Sequence, residues 1–311
     1  MVRQNPFVLQ TVRDITSLRI QGAQAIAKAA VTTFEKVEET YFQTFHHMSD
    51  YARSLKHMKD ALMSARPTEP LLRNALNLIF HDSDVLYYDS MEKLHKHIQT
   101  QITIVLRHFT QVSETISKIG AKKIKPRMTV YTHCHSSAVM DIFSEAQKQK
   151  IPFSVCNTET RPRYQGRITA SELSQKGIPV THYVDSALRL AIKESNCIFL
   201  GADAIDYKGC IYNKIGSELI CEIAKLYKVP VYICTDSWKF DPLTDAKHNE
   251  IIELRDEAEV WEKAPKGVTI KNYAFEKIDP TLVQGIISEL GILQPQAFLA
   301  KVKDTYPQLR K

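Results

Sequence analysis

No apolar run in the 311-residue chain approaches the roughly 20 residues that a bilayer span needs, because charge or glycine breaks every long candidate. Residues 1–18 also lack the continuous apolar stretch of a secretory signal. A soluble, cytoplasmic protein with no membrane partner is the expectation. The six cysteines form no C-x-x-C pair and no disulfide-framework spacing. Cys156, Cys197, Cys210, Cys221 and Cys234 sit in apolar surroundings and read as reduced, buried thiols. Only 10 glycines occur, and none builds G-x-G-x-x-G, G-x-x-x-x-G-K-[ST] or a serine nucleophile elbow. Nothing therefore marks a nicotinamide or nucleoside triphosphate site, and no cofactor is expected. Basic residues with interleaved aromatics are missing too, which argues against nucleic acid as a partner. The nearest basic run, Lys122 to Arg127, reads as a linker ahead of a strand.

What is present is globular: 44% hydrophobic, 24% charged, net charge +6. That mild positive excess suits an anionic small substrate as well as plain solubility. The texture changes near Gly120 to Arg127, which predicts a helical N-terminal domain over 1–122 and a second domain over 123–311. In the first, Leu94, Ile98, Ile102, Val105, Phe109, Val112 and Ile116 step by four or three along one face of a long helix. Ser83 and Asp84 are its expected caps and Gly120 its expected stop. Earlier helices are predicted over 17–47, 50–63 and 71–80.

In the second domain, short β-branched runs at 128–133, 152–156, 179–184, 197–200 and 229–234 alternate with amphipathic segments at 137–149, 169–176, 186–194 and 217–227. Such alternation predicts an α/β fold, a Rossmann-like parallel sheet with helices on both faces. In these sheets ligands bind at the carboxyl ends of the strands. Those ends carry Thr132-His133-Cys134-His135-Ser136-Ser137, then Asn157 through Gly166, Asp185-Ser186, Gly201-Ala202-Asp203 and Thr235 through Lys239. Tyr212 to Ser217 lies ahead of another helix.

Cys134 sits between a strand and a helix N-terminus, where the dipole favours thiolate, and Ser136 and Ser137 follow as phosphate donors. Capping serines beside a gap-filling cysteine account for the same positions equally well. A metal held by His133, Cys134 and His135 is not expected, because the two imidazoles and the thiol alternate sides in extended chain. Asp203 ends an apolar strand, so partial desolvation would suit it to general-acid work; Asp185 reads as an N-cap. Lys214, Lys239, Arg161 and Arg163 share the same edge and predict an anion site.

Thr132-His133-Cys134, Glu159-Thr160-Arg161-Pro162 with Gln165-Gly166, Gly201-Ala202-Asp203 and Asn213-Lys214-Ile215-Gly216 follow one another in this order. In this the chain resembles, over nearly its whole length, a superfamily of three branches. These are the methylthioribose-1-phosphate isomerases, the archaeal ribose-1,5-bisphosphate isomerases, and the regulatory alpha, beta and delta subunits of translation initiation factor 2B. The regulatory subunits generally lack the Cys/Asp pair, so Cys134 and Asp203 favour an isomerase. Thr235 to Pro242 resembles a segment of the bisphosphate isomerases whose lysine contacts substrate, and Lys239 would supply charge for a 5-phosphate.

The resemblance implies Cys134 as base and Asp203 as acid. It implies Gly22, Ala23, Arg66, Ser136, Ser137, Gln165, Asn213, Lys214 and Lys239 as substrate contacts, with no metal. It further implies conversion of α-ribose 1,5-bisphosphate to ribulose 1,5-bisphosphate in AMP ribose salvage, by a homo-oligomer that is a dimer or a hexamer of dimers. A regulatory subunit that binds sugar phosphate or nucleotide without chemistry is the first alternative, and a methylthioribose-1-phosphate isomerase the second. Gln21 stands where the isomerases usually carry arginine, which leans toward the regulatory branch, with Arg19 and Lys28 as possible substitutes. Ser217 replaces a usual threonine.

Overall fold

The structure is a computed structural model that describes residues 5–83, 87–245 and 252–309. It divides into two compact units, one of residues up to 111 with 306–309, the other of residues 112–305. The helical unit contains α1 (Pro6–Thr16), α2 (Ala23–Thr44), α3 (Met48–Ser64), α4 (Pro70–Ile79) and the first two-thirds of α5 (Met91–Ala121). Its core is built from Ile26, Val31 and Phe34 of α2, Leu55 and Leu62 of α3, Leu72 and Leu76 of α4, and the inner face of α5. All seven apolar residues of the predicted α5 stripe are buried.

Three local predictions need correction. The helix expected over 17–47 starts late: the chain leaves α1 at Ser17, Leu18 takes φ 60, and α2 begins only after Gly22 at φ 86. Helix α5 begins at Met91, where Ser90 Oγ accepts the Lys93 N–H, whereas Ser83 hydroxyl donates to Phe80 O; Asp84 lies outside the described residues. Gly120 does not stop α5. A Cβ there would meet Ile142 Cδ1 at 2.4 Å, so the glycine is a notch that lets two helices approach.

The second unit holds β1 (Thr129–Thr132), α6 (Ser137–Lys148), β2 (Ser154–Thr158), α7 (Gln165–Gln175), β3 (Val180–Tyr183), α8 (Leu188–Lys193) and β4 (Cys197–Leu200). It continues with β5 (Ala204–Ile205), β6 (Ile211–Lys214), α9 (Ser217–Tyr227), β7 (Val231–Cys234), β8 (Phe275–Ile278), β9 (Gly285–Ser288), β10 (Gly291–Leu293) and α10 (Pro295–Thr305). The seven-stranded sheet runs β10-β9-β7-β4-β1-β2-β3 and is parallel except for β10. β5, β6 and β8 form a separate small antiparallel sheet.

From β1 the chain winds outward through β2 and β3, then returns to place β4 on the other side of β1. That reversal is the topological switch point of a doubly wound sheet, and in such sheets ligands bind outside the carboxyl ends of the flanking strands, here β1 and β4. Val130, Val155, Phe143, Phe153 and Phe199 fill the core beneath it. Among the described residues no helix is long and apolar enough to cross a membrane.

Candidate active site

The β1–β4 register pairs Thr132 with Phe199, so Cys134 and Gly201 follow at matching heights on the two sides of the switch point. Cys134 and Asp203 are both half-buried. Each therefore keeps part of its surface open to solvent while standing among protein groups. Gly201 is required between them. A Cβ on it would lie 2.7 Å from Ser136 Oγ. Ser136 ends the loop as N-cap of α6, and its hydroxyl makes no capping bond. Ser137 follows as an exposed first-turn residue.

Cys134 takes φ 64, a conformation that β-substituted residues avoid and that neighbours must hold in place. Two threonines do so. Thr160 Oγ1 accepts the Cys134 N–H at 3.0 Å, and Thr169 Oγ1 donates to Cys134 O at 2.8 Å. Asp185 in turn accepts the N–H groups of Thr160 and Arg161 at 2.8 and 2.7 Å. The expected N-cap role of Asp185 is thus corrected: its carboxylate reaches across to clamp the loop after β2.

His133 is buried, donates Nε2–H to Ile215 O at 2.9 Å, and so accepts at Nδ1 from Thr158 Oγ1 at 2.8 Å. Burial lowers its pKa below the usual imidazole range, with the Ile215 carbonyl and Asp185 opposing. His135 donates Nδ1–H to Thr169 Oγ1, whose own proton goes to Cys134 O. Both imidazoles are engaged in fixing the loop around Cys134.

The electrostatics correct one expectation. α6 begins only at Ser137, and crowding by protein pushes the Cys134 thiol above its ordinary value. The Lys214 cation, the His135 N–H and, more weakly, the Arg255 guanidinium pull it back down, while the Asp203 carboxylate adds to the rise. The other five thiols are buried, and burial pushes those of Cys197 and Cys221 up to about 12.

Lys214, at the end of β6, is buried with its Nζ 5.0 Å from the Phe275 ring centre. Asn213 beside it donates Nδ2–H to Ser217 Oγ at 2.9 Å and lies near Gly201. Lys239 Nζ donates to Ala202 O at 2.5 Å, which brings a further cation to the end of β4. Gln165 opens α7 half-buried. Gly22, Ala23 and Arg66 belong to the helical unit, where Gly22 caps α2, Ala23 is its buried first residue and Arg66 follows α3. There Gln21 folds back to donate Nε2–H to Leu18 O at 2.7 Å, and Arg19 pairs with Asp14 at 3.2 Å.

Arg161 and Arg163 are corrected as anion holders. Arg161 donates to Tyr164 Oη at 2.7 Å and Val260 O at 3.0 Å, and Arg163 pairs with Glu259 at 2.7 Å. They tie the loop after β2 to a short 3-10 turn at Glu257–Glu259. The N-terminus of α9 is likewise filled from within, because Glu276 accepts the Glu218 N–H at 2.7 Å and the Gly216 and Ser217 amides also face its carboxylate. The sequence reading placed Thr160 in a motif without its role, and it missed Thr169, Glu276 and Arg255. Thr169 is an ordinary helix threonine, Glu276 acts from a distant strand, and Arg255 follows a residue bridged to Tyr273; motif spacing connects none of them.

The initiation factor 2 subunit family model matches residues 19–295. The chain is 33% identical to the ribose 1,5-bisphosphate isomerase of Thermococcus kodakarensis over 96% of its own length and 94% of that protein. It is 28% identical to the methylthioribose-1-phosphate isomerase of Thermosipho africanus over 90% of this chain and 85% of the other. Among solved structures it resembles the Pyrococcus horikoshii translation initiation factor eIF-2B, with TM-score 0.81 and 25% identity over 95% of this chain and 99% of that one. With a doubly wound sheet and this similarity over nearly the whole chain, the chain belongs to the initiation factor 2 subunit family.

Proposed function

We propose that the chain is an aldose–ketose isomerase converting α-ribose 1,5-bisphosphate to ribulose 1,5-bisphosphate, in salvage of AMP ribose. The observation that carries this is the pairing of a half-exposed thiol, Cys134, with a half-exposed carboxyl, Asp203, across the switch point beside Lys214 and Lys239. The ribose 1,5-bisphosphate isomerases similar over nearly the full chain support the substrate.

In this mechanism Asp203 gives a proton to the ring oxygen as the bond from that oxygen to C1 breaks. The Cys134 thiolate takes the proton from C2, and the electron pair released closes C1=C2 to an enol. Asp203, now a carboxylate, takes the hydroxyl proton from the C2 oxygen as the carbonyl forms. The C1=C2 pair then takes the Cys134 proton at C1. Both phosphates stay esterified, and the two residues end in the states in which they began. Ser136, Ser137, Gln165, Asn213, Lys214 and Lys239 are read as substrate contacts. Cytoplasmic location and a homo-oligomeric state belong to the same reading.

The test offers the purified protein α-ribose 1,5-bisphosphate and methylthioribose 1-phosphate in parallel. Turnover of the bisphosphate alone is the expected result. Turnover of methylthioribose 1-phosphate alone would move the chain to that branch. Folded protein that binds sugar phosphates but turns over neither would be a regulatory subunit.

A further inference from the structure

Cys134 and Lys214 stand on different sheets. Cys134 follows β1 of the seven-stranded sheet, and Lys214 ends β6 of the three-stranded one. Strand ladders set register within a sheet, and among the described residues none joins β1 to β6. The spacing of the two strand ends therefore depends on some other tie.

That tie is the residue before Cys134. His133 is buried, and its Nε2–H donates at 2.9 Å to the carbonyl of Ile215, the residue after Lys214. A carbonyl only accepts, so the proton sits on Nε2 and Nδ1 accepts the Thr158 hydroxyl at 2.8 Å. Tyr131 Oη in turn donates to Thr158 Oγ1 at 3.0 Å, which anchors the imidazole in β1 and β2. Thr160 Oγ1, which accepts the Cys134 N–H, lies 3.4 Å from Nδ1. On the far side Ile215 N–H donates to Ala274 O at 3.2 Å, so the accepting residue is itself held to the run leading into β8. Glycine at 216 keeps the path open: it takes φ 98, and a Cβ there would crowd His133 Nε2 at 3.3 Å. The same two strand ends meet again at Gly201, where a Cβ would lie 2.7 Å from Ser136 Oγ and 3.9 Å from Asn213 Oδ1.

We propose that His133 is a positioning residue whose bond to Ile215 O sets the spacing between the loop that carries Cys134 and the strand end that carries Lys214. The bond joins residues 82 positions apart. It also gives two sequence motifs one physical link: the imidazole belongs to Thr132-His133-Cys134, and the carbonyl and the clearing glycine to Asn213-Lys214-Ile215-Gly216. A network whose buried members are all bonded holds one geometry, which is what a pair of site residues on separate sheets needs. Only the reaction served by that spacing rests on the isomerase reading.

The test separates the two sides of the imidazole in the full-length protein. A glutamine amide reaches as far as Nε2 and keeps a donor for Ile215 O, whereas an asparagine amide ends at the depth of Nδ1 and loses that bond. In turnover of α-ribose 1,5-bisphosphate, His133→Asn is expected to lower kcat about a hundredfold with KM moved less than about threefold. His133→Gln is expected to recover kcat to within about fivefold of the parent. Hydrogen–deuterium exchange without substrate, read on peptides covering 132–137 and 213–217, is expected to quicken about tenfold at both in the Asn variant and at neither in the Gln variant. Parental kcat in folded His133→Asn protein would overturn the proposal, as would His133→Gln as slow as His133→Asn. Faster exchange confined to 132–137 would also overturn it, since His133 would then support its own loop alone. Should the Asn variant fail to fold, Gly216→Ala crowds the same bond from the other side and is compared with the Gln variant by the same two readings. If the parent turns over no sugar phosphate, the isomerase reading falls and the exchange pattern alone decides the proposal.

Discussion

The two units each bury a cluster of polar side chains, and the clusters are built on opposite principles. In the helical unit Glu38 is wholly buried and accepts from Tyr51 Oη, His95 Nδ1 and Gln99 Nε2, while Phe42 stacks on His95 at 3.8 Å. Burial first, then Glu38, push the Tyr51 phenol well above its usual range. The donors close around one carboxylate, and the cluster serves to fix the helices. At the sheet's switch point Cys134 and Asp203 are half-open, and the fixed partners surround the backbone of Cys134, leaving its sulfur to the charges. A polar cluster satisfied on all sides makes structure. One whose frame is satisfied but whose reactive atoms face a crevice makes chemistry.

That contrast can be broken at either end. Asp203→Asn removes the acid and should lower kcat about a thousandfold in steady-state assays with little change in the melting curve. Glu38→Ala should do the reverse. It strands buried donors and should cost about 3 kcal/mol in urea denaturation, with turnover kept well below the melting temperature. Gly201→Ala forces a Cβ against Ser136 Oγ and should cost about 2 kcal/mol or less in stability, with about a tenfold fall in kcat/KM.

The smallest effect is a pH dependence at His133. Its folded pKa lies below the ordinary imidazole value of about 6.5, so the unfolded chain binds more protons just below that pH. Stability should therefore fall on acidification below about 6.5, by at most about 1.4 kcal/mol per pH unit. His133→Gln should remove that slope, as urea midpoints across pH 5 to 7 would show.

Much of this was legible in the residues themselves. The α5 stripe, the first five parallel strands and the polar residues at their ends follow from periodicity and from the rule that ligands meet strand carboxyl ends. That rule singled out Cys134 and Asp203 for the proposed roles. Features set by a distant partner were not. Leu18 and Gly22, both at positive φ, hold off the start of α2 until Ala23, and Gly120 is a notch for Ile142 in place of a stop. Glu276 fills the N-terminus of α9 from a strand far along the chain, and Asp185 spends its carboxylate on the loop after β2.

The most direct measurement compares the parent protein with Cys134→Ser for turnover of α-ribose 1,5-bisphosphate and, by calorimetry, for binding of it. The account predicts a fall in kcat of at least about a thousandfold with affinity held within a few-fold. A folded Cys134→Ser protein that isomerises the bisphosphate at the parental rate would contradict it.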